Sequence, residues 1–408
     1  MTAAVQPKAR ARYAAKRDAI MGAATKVFAD QGMSGFTLAA VAKRMDLHPV
    51  SLTYYFKRKE DLAAAVLHDA IRRFGGMLEK AEVETTAPAR LRALVEAYFE
   101  TRQRVALGDE IPLAPFNEIN LIEGEQHGPL MEAFRTIYLR IGRLLKSDDM
   151  PWMTPPRRQA LARLVVNALT WSDSWIGSYP PEDYPRVAAR MADLMIGGLA
   201  DRDARLVSGA LLPLGSPTAG NDEVTRDRFL VAATKLINQE GYRGASVDKI
   251  SAELKVTKGS FYHHNADKDE LAAACFGRTF AIIDDARRRA ASQENGLQRL
   301  GLAIASLSEH QAAGDGGRIL RHYALAAVPP AMRKQMLMRF QQIAHAFSGV
   351  IADGIADGSI RPVDALLAAQ YVMVIFNVAL PLERDAQGDT TGLIEAYVRP
   401  ALLGFFVE

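Results

Sequence analysis

Residues 17–65 of this chain align with residues 226–274 without a gap, at a constant offset of 209. The first stretch reads RDAIMGAATKVFADQGMSGFTLAAVAKRMDLHPVSLTYYFKRKEDLAAA and the second RDRFLVAATKLINQEGYRGASVDKISAELKVTKGSFYHHNADKDELAAA. Identities include Arg17/Arg226, Ala23–Lys26 against Ala232–Lys235, Gly32/Gly241, Gly35/Gly244, Ser51/Ser260, Lys59/Lys268 and Leu62/Leu271. An offset of this size is far beyond a solenoid repeat, so the chain reads as two whole proteins joined end to end. Whatever one aligned stretch folds into, the other is expected to fold into as well.

The 408 residues are 49% hydrophobic and 24% charged, enough for packed cores and for two to four domains. One cysteine, Cys275, makes an internal disulfide or a thiolate metal cluster impossible and points to a reducing, cytoplasmic setting. No apolar leader opens the chain. The longest apolar run, Leu366–Leu382, is short for a membrane span and holds Gln370, Asn377 and Pro381, so it reads as a buried helix.

Each repeat reads as three short helices and a longer one. Ile20, Ala23/Ala24, Val27 and Phe28 recur at helical spacing, and Gly32 supplies a left-handed stop. Thr37 has the character of an N-cap for a helix with Leu38, Val41, Ala42 and Met45 on its apolar face. A break at Asp46–His48 precedes Pro49 and a very short helix through Tyr55, and Lys59 opens a helix expected to run to about Phe74. The second copy carries the same marks at Gly241, Ser246, the Lys255–Thr257 turn and a Lys258–His264 helix. Two helices joined by so short a turn are either an ordinary helical hairpin or a helix-turn-helix. Side-chain chemistry favours the second, because a recognition helix must show small or polar groups at its first turn and have phosphate-binding groups nearby. That turn carries His48, Ser51, Thr53 and Tyr54 in one copy, and Thr257, Lys258, Gly259, Ser260, Tyr262 and His263 in the other.

The stretches Leu47–Phe56 through Lys59, and Val256–His264 through Lys268, resemble the DNA-binding motif of TetR-family transcriptional regulators. The resemblance implies an all-α fold, in which each small head is followed by a larger helical body that binds a small-molecule effector and dimerises. It implies phosphate contacts from Thr37, Ser246, Lys59 and Lys268. It places base or backbone contacts at His48, Pro49, Val50, Ser51 and Thr53, and at Thr257, Lys258, Gly259, Ser260 and Tyr262, with Tyr54, Tyr55, His263 and His264 at the helix ends. Two departures stand out. Thr53 occupies the place of a usual tyrosine, and Asn265 the place of a usual phenylalanine, which puts the rigidity of the second head in question.

Charge separates the heads. Residues 1–59 carry eleven basic and three acidic side chains, a net of +8; residues 222–268 carry eight and seven, a net of +1, which leaves −6 elsewhere in a chain of net +3. The first head therefore concentrates the field that attracts DNA. It includes Arg12, Lys16 and Arg44, and a basic arm at Lys8–Arg12 that reads either as a flexible segment reaching a minor groove or as a solvated terminus.

The expected domains are a basic arm (1–15), head 1 (16–75), body 1 (76–207), a Gly/Ser/Pro-rich linker (208–222), head 2 (223–284) and body 2 (285–408). The linker spans roughly 20 Å on average. In each body the last two helices show wide apolar faces: Leu161–Ile176 and Val187–Leu199 in the first, Leu367–Val378 and Ile394–Phe405 in the second. The faces either pack within their own body or meet each other, so that one chain imitates a dimer. Phe116, Phe134, Tyr138, Trp171 and Trp175, and in the second body Tyr323, Phe340, Tyr371 and Phe376, are candidates for effector pockets as well as for plain core. No nucleophile elbow, phosphate loop or paired-histidine spacing appears, so no catalysis, cofactor or metal is expected.

These features predict a DNA-binding transcriptional regulator, a repressor that leaves its double-stranded operator when a small, mainly apolar effector binds. In the alternative, only head 1 binds DNA, head 2 is a structural relic, and chains pair to form the binding unit. Association with a membrane is not expected.

Overall fold

The computed structural model describes residues 5–122, 124–201, 210–214, 226–264, 267–313, 318–321, 324–325, 328–378, 392 and 394–408. Among these residues there are helices and no strand ladder, only an isolated antiparallel bridge between Ala200 and Ile360. The chain divides into two compact units, Met1–Glu79 with Glu100–Ile137, and Lys80–Phe99 with Tyr138–Glu408.

The first unit holds head 1. Helix α1 (Val5–Gly35) bends at Gly32, whose φ of 61° only glycine adopts without strain. Its Ile20, Ala24, Val27 and Phe28 are buried, and Phe28 meets Phe36 edge-on. Thr37 accepts a hydrogen bond from the Ala40 N–H and starts α2 (Leu38–Arg44). Asp46, at φ 53°, turns the chain into α3 (Pro49–Thr53), which His48 caps by accepting from the Val50 N–H. Helix α4 (Lys59–Glu82) then runs two turns beyond the expected Phe74. The basic arm is not the flexible segment expected from sequence: from Val5 onward it belongs to α1. Arginine and alanine are strong helix formers, and Ala9, Arg10, Ala11, Arg12, Ala14 and Ala15 extend the helix backward from an already nucleated turn.

A second set of contacts in this unit reaches back onto the head. Past α5 (Ala87–Leu107), a short 3₁₀ stretch at Phe116–Leu121 brings the buried Glu118 carboxylate 2.8 Å from the Met33 N–H, one residue past the bend. The bend strips that amide of its helical acceptor, and the carboxylate satisfies it. Phe116 packs between Phe74 and Phe134, the latter on α6 (His127–Leu144).

The second unit holds head 2 and the helices that join the two halves. Helix α9 (Arg226–Gly244) bends at Gly241 as α1 bends at Gly32; Ser246 caps α10 (Val247–Leu254), and Lys255 at φ 57° leads into α11 (Lys258–His264). Phe261, on α11, is fully buried against Phe229 of α9. Asn265 lies outside the described residues. Helix α12 (Lys268–Ala290) is capped by Asp267 and followed by α13 (Gly296–Ala313), α14 (Pro330–Asp357) and α15 (Ala365–Val378). Leu212, in the linker, donates its N–H to Ser306.

The apolar final helices meet each other. Helix α15 packs on α7 (Pro155–Ser172) and on α8 (Tyr184–Gly197). The last described helix opens as a π-turn, Ile394–Val398, and runs without a break into α16 (Arg399–Leu403), ending at Gly404, whose φ is 108°; Phe405, expected on the same helical face, lies beyond its end. The π-turn lies on α7 and α16 on α8. Trp175 and Ile176, read as part of α7, fall beyond its end at Ser172. The seam is also pinned by backbone. Leu199 and Ala200 N–H both donate to Leu402 O, Phe405 N–H to Met195 O and Arg361 N–H to Leu199 O. A Cβ at Gly198 would collide with the Leu403–Gly404 backbone, and the φ of Gly198 is 66°. One chain thus carries, between its two halves, the four-helix packing expected of a dimer.

Candidate nucleic-acid interface

Helix α3 is five residues long, and Leu52 is its one buried residue. Pro49, Val50, Ser51, Thr53 and Tyr54 are exposed, Val50 at 67% and Tyr54 at 75%. The Thr53 hydroxyl donates to Val50 O, so it can serve a ligand only as an acceptor. Tyr55 and Lys59 are half-buried at the end of this face. In head 2, α11 presents Lys258, Gly259, Tyr262 and His263 to solvent, with Ser260 half-buried, while the Thr257 hydroxyl accepts from Ser260 N–H and caps the helix. The His264 side chain lies outside the described residues.

The two heads handle their cations differently. In head 1, Arg44 pairs with Asp30 and Arg58 with Asp61. Among the described residues Lys16, Lys26, Lys43, Lys57 and Lys59 have no carboxylate partner. In head 2, Lys258 pairs with Asp248 at 2.6 Å, Lys235 with Glu253 at 2.5 Å, Lys249 with Glu240 and Arg226 with Glu270. The Lys268 ammonium lies 4.4 Å from the centroid of the Tyr242 ring. Among the described residues Lys255 and Arg228 are left without a carboxylate. Each exposed pair is worth at most about 1 kcal/mol. Together they offset positive charge around α11, whereas the five head 1 lysines named above keep theirs without a carboxylate among the described residues.

One contributor was not foreseen. The Tyr13 ring stacks on Tyr55 at 4.9 Å and meets Tyr54 edge-on at 6.0 Å. The signal that could have found it is the four-residue spacing from Tyr13 to Arg17, which puts both on one face of α1.

The aromatic pocket candidates do not line either of two described cavities. One, of about 470 Å³, is bounded by Arg17, Lys26, Asp69, Arg73, Glu110 and Ile111; the other, of about 340 Å³, by Glu84, Pro88, Arg92, Glu96 and Ile196. Phe116 is buried in its aromatic stack, and Trp175 lies against Phe99. Burial pushes the Tyr138 phenol up to about 12. Trp171, read as part of body 1, packs edge-on against Phe340 of body 2. Tyr371 and Phe376 are fully buried on α15. Tyr323 lies outside the described residues.

Residues 20–66 and 229–275 both match the model of the bacterial regulatory proteins of the tetR family. The chain carries two tetR-family heads in tandem. Among curated proteins, this tandem TetR-like chain is 33% identical over 90 residues to the transposon Tn10 TetC protein of Escherichia coli, a match covering 22% of this chain and 44% of that protein. It is 27% identical over 143 residues to the HTH-type transcriptional repressor DhaR of Mycobacterium sp. (strain GP1), covering 33% of this chain and 70% of the repressor. The chain thus spans less than half of TetC's length. A solved structure of the transcriptional regulator FadR from Bacillus subtilis in complex with stearoyl-CoA is 18% identical, covers 44% of this chain and 99% of its own, and gives a TM-score of 0.38. In the tandem TetR-like chain no helix among the described residues is long and apolar enough to cross a membrane.

Proposed function

We propose that this chain is a transcriptional repressor that binds operator DNA, with head 1 as its electrostatic anchor. The observation that carries this is the exposed α3 face, in a head whose Lys16, Lys26, Lys43, Lys57 and Lys59 have no carboxylate partner among the described residues. His48, Pro49, Val50, Ser51, Thr53 and Tyr54 read base edges in the major groove; Thr37, Tyr55 and Lys59 hold phosphate, and Arg44 does so by exchanging Asp30 for it. Head 2 reads through Thr257, Gly259, Ser260, Tyr262 and His263. Its Lys258 and Lys268 reach phosphate only by exchanging Asp248 and Tyr242 for it, and Ser246 must keep its capping role while doing so. A small effector binding in the helical bodies weakens operator binding by the coupling free energy between the sites, typically about 1–3 kcal/mol.

Since α3 and α11 differ at every reading position except the shared serine, the operator has unlike half-sites. Selection of bound duplexes from a random pool tests the whole reading. An asymmetric consensus supports two heads reading together. A perfect palindrome shows instead that two chains each contribute head 1, the reading favoured by the internal pairing of head 2's cations. Replacing Lys258, Ser260, Tyr262 and Lys268 together separates the same alternatives, because unchanged affinity removes head 2 from the interface.

A further inference from the structure

The N-terminal extension of head 1 is a helix, and one aromatic side chain ties it to the recognition helix. Tyr13 stacks on Tyr55 with 28° between the ring planes, and Tyr54 and Tyr55 meet edge-on at 5.2 Å. One turn later on the same face of α1, the Arg17 guanidinium sits 5.5 Å from the centre of the Phe56 ring. Two successive turns of α1 therefore grip three consecutive side chains, Tyr54, Tyr55 and Phe56, at the end of the recognition helix. Tyr13 remains 41% exposed and Tyr54 75% exposed, so the clasp sits at the surface beside the reading face, not in the core. At the position of head 2 that matches Tyr13 the chain has Asp222, so the clasp is peculiar to head 1.

We propose that residues 5–17 form a rigid strut, clasped by Tyr13, that lays Arg12 and Lys16 along the phosphate backbone of the duplex and does not read a minor groove. The proposal rests on head 1 binding DNA as described above. A helix with side chains is about 10–12 Å across, and the minor groove of B-DNA is about 6 Å wide, so this segment cannot enter it as a flexible arm would. Arg12 and Lys16 stand one turn apart on one side of α1, about 6 Å along its axis, comparable with the advance of two phosphates along one strand. Arg12 is exposed and Lys16 half-exposed, and neither has a carboxylate partner among the described residues. Phosphate contact carries no sequence information, so the strut adds affinity for every duplex equally. Tyr13 is a positioning residue: it holds the two cations in reach.

The test uses the full chain, its selected operator duplex and a scrambled duplex of equal length, with affinity measured by fluorescence anisotropy from about 50 to 200 mM salt. The double variant Arg12→Ala/Lys16→Ala is expected to make the slope of log K against log salt shallower by about 1.8, and to weaken both duplexes by the same factor. Tyr13→Ala should reproduce this shallower slope with an unchanged melting temperature, while Tyr13→Phe, which keeps the stack, should bind as the parent does. An unchanged slope in the double variant overturns the proposal. So does a loss confined to the operator duplex, which would mean base reading. If the parent chain binds neither duplex, the regulator reading fails and the strut with it, an outcome distinct from a parent that binds and a double variant that binds equally well.

Discussion

The indole N–H of Trp171 donates to the side-chain oxygen of Gln370 at 3.2 Å, with both residues buried and 199 positions apart in the chain. Each would be a poor choice for an apolar seam by itself, and together they leave neither polar group stranded. Gln370→Leu keeps the volume and strands the indole N–H. We expect a loss of about 1–3 kcal/mol in chemical denaturation, the desolvation cost of a buried donor without a partner. Trp171→Phe in the Gln370→Leu background should recover part of it, since both polar groups are then gone.

The seam between the halves also carries ion pairs that join unlike residues of the two halves. Arg190 pairs with Asp364 at 2.6 Å and Arg361 with Asp193 at 2.8 Å, and Arg361 also donates to Gly198 O. A seam built from two copies of the same half could not form them. Light scattering coupled to size exclusion should give one chain, 44.6 kDa, and a particle of twice that mass would overturn the monomeric form of the pseudo-dimer.

Glu110 bridges Arg73 of α4 and Arg104 of α5. Burial alone would raise its pKa, but hydrogen bonds from Arg104 and Arg73 and their charges outweigh that and hold it below the usual carboxylate range. A folded-state value below the unfolded one stabilises above the unfolded pKa, and the contribution is lost as pH falls through the folded value. Urea denaturation across the acid range should therefore show the parent chain losing stability more steeply than Glu110→Gln.

Cys275 is fully buried, and desolvation pushes its thiol up to about 11. Only thiolate is nucleophilic, so iodoacetamide should leave the native chain unlabelled near neutral pH and label it once denatured. Rapid labelling of the native chain would mean that α12 opens locally.

Much of the architecture was legible from residue order, because its causes are local. Thr37 and Ser246 cap helices through N–H groups three residues away, and Gly32 and Gly241 bend the chain where only glycine fits. The Lys258–His264 helix of head 2 was readable from end to end. Boundaries set by length or by distant partners were less so. Helix α4 outran its expected end, α1 absorbed the supposed arm, and the final helix begins as a π-turn and stops at Leu403, short of Phe405.

By itself, the sequence determined that there are two similar helical halves, that each opens with a helix-turn-helix, and that the first head carries the excess positive charge. Hydrophobic period and capping chemistry act over a few residues, and net charge needs no coordinates. Only the tertiary structure decided which apolar faces meet, because a helical stripe says that a face is buried without saying against what. It likewise decided which lysines are compensated. Lys258 and Asp248 are ten positions apart and join across a turn, while Lys59 finds no such partner among the described residues. Electrostatic availability depends on distances through space, and those are set only when the helices pack.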